Sequence, residues 1–123
     1  MAYPIETVLA EKLETLIVRS VTNTRMRDFY DIHVLLNSEK QEINYATLQK
    51  ALSATSTKRK STELMKEAEN VLIALKDSPL MQNLWKNYQQ KFSYAINYSW
   101  HDVMHSVRKL AYKAGLSVET KEA

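Results

Sequence analysis

A chain of 123 residues with 45% hydrophobic and 25% charged side chains is the right size for one domain with a single hydrophobic core. A single glycine, Gly115, excludes a Gly-rich phosphate-cradling loop and argues against tight hairpins, and the lack of cysteine excludes a disulfide framework or a thiolate metal site. No apolar run approaches the roughly 20 residues of a membrane span, and a net charge of +3 tolerates a polyanionic partner without requiring one. The expectation is an all-α fold, a compact bundle of about six helices forming one domain over residues 1–116. Glu6 and Glu11 interrupt the segment where a signal peptide would run apolar, so a cytoplasmic protein with no membrane partner is expected.

The first helix opens at Pro4, a good first-turn residue, and runs to about residue 20. Stepping roughly 100° per residue puts Ile5, Val8, Leu9, Leu13 and Leu16 on one arc, and Lys12 falls within it. After the polar break "TNT" a second helix spans about 25–36, with Met26, Phe29, Ile32, Leu35 and Leu36 on its apolar arc. Asp28 and Arg25 fall inside that arc, Asp31 sits at its edge, and Arg27 and Tyr30 point away. His33 is also on the apolar side, where the ordinary role is that of a hydrogen-bonded core histidine.

A third helix starts after Asn44 and fades in "SATSTKRKST", whose basic "TKRKST" is short, lacks interleaved aromatics and reads as a solvated loop. The fourth covers about 62–76, with Leu64, Ala68, Val71, Leu72 and Leu75 in helical register. Ser78 caps the fifth and Pro79 occupies its first turn. Trp85, Tyr88 and Phe92 follow at i, i+3 and i+7, which reads as a core stripe. Ser99 and Asp102 form a capping box for the sixth helix, Gly115 ends it, and residues 117–123 read as a frayed tail.

An isolated ion in a core costs several kcal/mol, so Lys12 and Asp28 are natural partners across the first two helices. Two readings stay open: a structural salt bridge that fixes helix packing, or the floor of a functional cleft. The residues do not amount to an active site by themselves. Asp28 and Asp31 diverge by about 60° around the axis, and there is neither a second acidic pair nor a His-x-x-x-His.

"YPIETVLAEKLETLIVRSVTNTRMRDFYDIHVLL", residues 3–36, combines an "AEK" helix (Ala10, Glu11, Lys12) with an Arg-x-Lys/Arg-Asp-x-x-Asp segment (Arg25, Arg27, Asp28, Asp31). In this it resembles the C-terminal part of the AbiEii/AbiGii toxin family, nucleotidyltransferase-like proteins of abortive-infection and type IV toxin–antitoxin systems. The resemblance implies that these charges line a nucleotide cleft against a mixed α/β core. Lys12 would bind triphosphate with support from Arg25 and Arg27, and Asp28 would be the acidic catalytic or orienting group, supported by Asp31.

The family's Gly-Ser motif and Asp-x-Asp metal pair lie upstream of the matching region and are absent from this sequence. The chain is therefore expected to be a C-terminal fragment, from a truncated gene or an excised domain, and Met1 followed by "AYPIET" fits a start inside an ancestral frame. It would carry half a nucleotide site, hold no metal of its own and be inactive alone. For the intact family, Mg²⁺, an NTP and an RNA acceptor are implied. The expected partners are a second copy or the missing nucleotidyltransferase domain. Two other readings remain, a standalone helical interaction module and a weak RNA-binding module acting through "TKRK".

Overall fold

The computed structural model describes residues 4–116, so Tyr3 of the "YP" opening and the tail at 117–123 lie outside the described residues. Seven α-helices make up the described fold, with no strand among the described residues: α1 (Ile5–Arg19), α2 (Met26–Leu36), α3 (Tyr45–Lys58), α4 (Thr62–Met65), α5 (Ala68–Asp77), α6 (Pro79–Lys91) and α7 (Trp100–Lys113). Short 3₁₀ turns, Ser20–Thr22 and Ser93–Ala95, follow α1 and α6. The all-α expectation holds. None of these helices is long and apolar enough to cross a membrane.

The helix ends follow from side-chain chemistry. The Asn44 side chain accepts the Thr47 N–H at 2.9 Å to start α3, and Ser78 accepts the Met81 N–H at 3.2 Å to start α6. Ser99 and Asp102 form the expected capping box on α7, with bonds of 3.0 and 3.2 Å. At its other end Gly115 adopts φ 87°, and Leu116 N–H returns to Ala111 O at 2.9 Å, so the glycine supplies the left-handed turn that closes the last carbonyls.

The third helix ends at Lys58, within the stretch "SATSTKRKST" where it was expected to fade. It reaches that far because Leu48, Leu52 and Ser56 continue one buried stripe and the Ser56 hydroxyl finds an acceptor in Ser53 O at 3.2 Å. One boundary differs from the sequence expectation. The expected fourth helix is two, since Lys66 and Glu67 donate to carbonyls three residues back and close α4 before α5 begins. This break turns Met65 into the core and leaves Leu64 48% exposed, out of the stripe expected for it.

α1 lies at the centre, packed against α2 and α3 and touching α4, α5 and α7, while α2 and α5 pack on α7. Leu9, Leu13, Phe29, Ile32, Leu72 and Leu110 are fully buried between them or nearly so. Trp85 donates its indole N–H to Tyr98 O at 2.8 Å and Trp100 to Leu75 O at 3.3 Å, so each buried indole also fastens a connecting segment. Of the expected aromatic stripe, Trp85 is buried, and Tyr88 and Phe92 are half-buried beside it.

Leu13→Ala should therefore cost about 2–5 kcal/mol of unfolding free energy by urea denaturation, whereas Leu80→Ala, at a site 55% exposed, should cost less than about 1 kcal/mol. Comparable costs for the two would contradict this core.

Candidate functional site

The connector between α1 and α2 is short and fastened by Asn23, whose buried Oδ1 accepts the Arg25 N–H at 2.9 Å. This brings the Lys12 ammonium against the first two turns of α2. Lys12 Nζ lies 3.2 Å from Asp28 Oδ1 and 3.0 Å from Asp31 Oδ2. A lysine reaching between i and i+3 spans the divergence of the two carboxylates, which neither could close alone. On its other oxygen Asp31 accepts Arg27 Nε at 3.0 Å along α2. The side chains of Lys12, Asp28 and Asp31 are 23%, 8% and 21% exposed, so the ammonium sits at the edge of the core with water on one side.

Burial pulls the Lys12 pKa down, but the hydrogen bonds and charges of Asp31 and Asp28 outweigh it and raise the pKa above the usual lysine value. Lys12 is a firmly charged cation, with two donors directed at carboxylates and a third left for another acceptor. Its ammonium occupies the position that a metal ion shared by Asp28 and Asp31 would need, and no group of three His, Cys, Asp or Glu side chains gathers to hold a metal among the described residues. The carboxylates present do not by themselves fit Mg²⁺.

Four of the five candidate residues, Lys12, Arg27, Asp28 and Asp31, thus form one chain of ionic contacts. Arg25 does not join it. It precedes the helix with extended backbone (φ −91°, ψ 90°) and is exposed, because α2 starts at Met26 and an arc argument fails outside the helix. Tyr30 was expected to point away, but it is half-buried in a tyrosine cluster, with ring centroids 4.8 Å from Tyr94 and 6.2 Å from Tyr98. In that cluster the Tyr88 and Tyr94 hydroxyls are 2.8 Å apart, and burial together with that bond drives the Tyr88 pKa up.

Sequence reasoning missed two buried carboxylates on α1. Glu6 accepts the Asn44 N–H at 2.8 Å, and Glu14 accepts from Arg59 and Ser61. The signal was present: Glu6, Ala10, Glu14 and Ile17 follow one another at three- and four-residue steps, the spacing of a buried face.

His33 lies on the other side of α2. Its Nδ1 is 2.7 Å from Ser106 Oγ, which also accepts Asn37 Nδ2 at 2.9 Å, and its ring meets the Tyr98 ring edge-on at 4.6 Å. Burial lowers its pKa, and the nearby Asp102 charge offsets this only in part. The hydrogen bonds make it a satisfied packing residue, as expected for a lone histidine on an apolar face.

A family model described as nucleotidyl transferase AbiEii toxin, type IV TA system, matches residues 1–107. No curated protein and no solved structure matches the chain.

Lys12→Met should destabilise the protein by about 1–3 kcal/mol, below the range for a fully buried pair because the ammonium touches water. Lys12→Met with Asp28→Asn should cost less than the two single changes together, and strict additivity in urea titrations would show that the contact carries no coupling. Because folding lowers the His33 pKa, the unfolded chain binds the proton more readily; stability from this group is complete above about pH 6.5 and falls as pH drops toward the folded-state value. His33→Gln should flatten the slope of stability against pH in that window, and an unchanged slope would assign it to other groups.

Proposed function

The chain belongs to the AbiEii nucleotidyl transferase toxin family of type IV toxin–antitoxin systems, and from that premise we propose that its α1–α2 face forms one wall of a nucleotide site. The observation that carries this reading is the ionic cluster itself. A lysine held rigid by two carboxylates, with water on one side and a donor to spare, is prepared to meet a phosphate oxygen. In this reading Lys12 contacts the triphosphate, and Asp28 orients the reacting groups as the acidic member. Asp31 keeps Lys12 and Arg27 in register, while Arg27 and the exposed Arg25 add positive charge at the mouth. The same pairing, used only to lock α1 on α2, would leave an interaction module, and dependence of NTP binding on Lys12 separates the two.

The reaction proposed for the complete system is nucleotidyl transfer from an NTP to an acceptor, RNA being the class considered, in the cytoplasm during abortive infection of phage-infected cells. Transfer of this kind is ordinarily run by metal ions held on a carboxylate pair. The two carboxylates of this site are engaged by Lys12, and the Gly-Ser and Asp-x-Asp motifs do not occur in the 123 residues. We therefore assign those functions to another polypeptide segment, and the chain acts as a C-terminal, fragment-like half. A second copy is the alternative source of a facing wall.

Incubated with labelled NTPs, Mg²⁺ and total RNA, the chain by itself should transfer no label. It should retain weak NTP affinity, roughly millimolar, that Lys12→Met abolishes. Label incorporation above background that is lost in Asp28→Asn would overturn the half-site assignment, and NTP binding indifferent to Lys12 would overturn the nucleotide reading.

A further inference from the structure

α1 carries a second ionic contact on its opposite side. Glu14 lies two residues beyond Lys12, about 200° round the axis, and only 5% of its side chain is exposed. Oε1 accepts from Arg59 Nη1 and Oε2 from the Ser61 hydroxyl, each at 2.7 Å. Both partners come from the turn that ends α3. There Lys60 takes φ 59°, Lys60 N–H returns to Thr57 O at 3.2 Å, and Ser61 N–H returns to Ser56 O at 2.8 Å. This is the closure usually given to glycine, here made by a lysine in a conformation that L residues rarely adopt. Its effect is to send Arg59 and Ser61 in toward Glu14 while Lys60 remains exposed.

Beside this contact lies a cleft of about 320 Å³. Val18 and Leu64, 42% and 48% exposed, supply aliphatic wall, and Arg19, Arg59 and Lys60 supply charge. Glu14 is the one carboxylate in the lining and is already engaged, so three cations against one anion leave the cleft with an excess of two positive charges. Arg59 directs Nη1 at Glu14 and Thr15, and its remaining N–H groups have no acceptor among the described residues. Arg19 and Lys60 form no ion pair among the described residues. Of the run at residues 57–62, Arg59, Lys60 and Ser61 line this cleft, while the exposed Thr57, Lys58 and Thr62 lie outside its lining.

We propose that this cleft docks an acidic peptide segment of a partner protein, with an aliphatic side chain between Val18 and Leu64 and flanking carboxylates on Arg59, Arg19 and Lys60. The charge excess selects an anionic partner and the exposed aliphatic wall selects one that carries an apolar anchor. A single-stranded nucleic acid would satisfy the charge but calls for aromatic side chains on which bases stack, and none lines the cleft. The volume suits an anchoring side chain or two, at the small end of ligand cavities. The surface lies across α1 from Lys12 and is independent of the nucleotide reading.

The test is a peptide-display selection on the full chain, followed by fluorescence anisotropy of the enriched peptides against wild type, Lys12→Met and the pair Leu64→Ser with Lys60→Asn. Both paired sites are exposed, and asparagine tolerates the left-handed backbone at residue 60, so helicity by circular dichroism should match wild type. The expected peptides carry Asp or Glu around Leu, Ile or Val. Their affinity should fall about tenfold or more in the paired variant, weaken at raised salt and stay unchanged in Lys12→Met. Peptides that ignore the paired variant, or that bind equally well with the aliphatic anchor changed to serine, would overturn the proposal. So would an empty selection, or oligouridylate that binds more tightly than any peptide and is lost in the same variant.

Discussion

A charge drawn out of water must be met by an opposite charge or by hydrogen bonds, and α1 is where this chain has to satisfy that rule. The helix is buried on much of its circumference, touching five other helices, yet it carries Glu6, Lys12 and Glu14 within nine residues of chain. Each is met from a different element: Glu6 from the start of α3, Lys12 from α2, Glu14 from the turn after α3. Hydrophobic contact alone would let these neighbours slide or rotate on α1, because apolar packing is not directional. These directional contacts, two ionic and one a hydrogen bond to a backbone N–H, fix the register of the neighbours on α1.

The same contacts divide the surface of α1 into two chemically different sides. On one, two carboxylates converge on a single ammonium, and the result is a held cation with a free donor. On the other, one carboxylate is shared by a guanidinium and a hydroxyl, and the guanidinium keeps unused donors that face outward. Phosphate is the anion proposed for the first arrangement and carboxylate for the second, and in each the anion would accept from the donors that the local contacts leave unsatisfied. Family membership speaks to the first side. The second follows from the geometry of the α3–α4 turn.

Helix content, most caps and the closing role of Gly115 were legible in the sequence because they depend on residues within a few positions of one another. The pairing of Lys12 with Asp28 was legible as a requirement, since burial demands a partner and the connector is short. Arg25 was misplaced because the arc was extended one residue past the true start of α2. Leu64 was misplaced because nothing local announces that the chain tightens at Lys66 and Glu67.

By itself, then, the sequence determined what local chemistry decides: an all-helical chain, its capping residues, the apolar arcs and the ions lying within them, together with the motif spacing that marks the family. Only the tertiary structure decided which ions meet. Asp31 joined the Lys12 contact because a flexible four-carbon side chain bridges an angle that separates the carboxylates on their own helix. Glu14, Arg59 and Ser61 came together across 45 and 47 residues, through a left-handed lysine that no periodicity foretells. Side-chain reach and helix crossing are properties of the packed molecule, and the cleft on the far side of α1 exists only at that level.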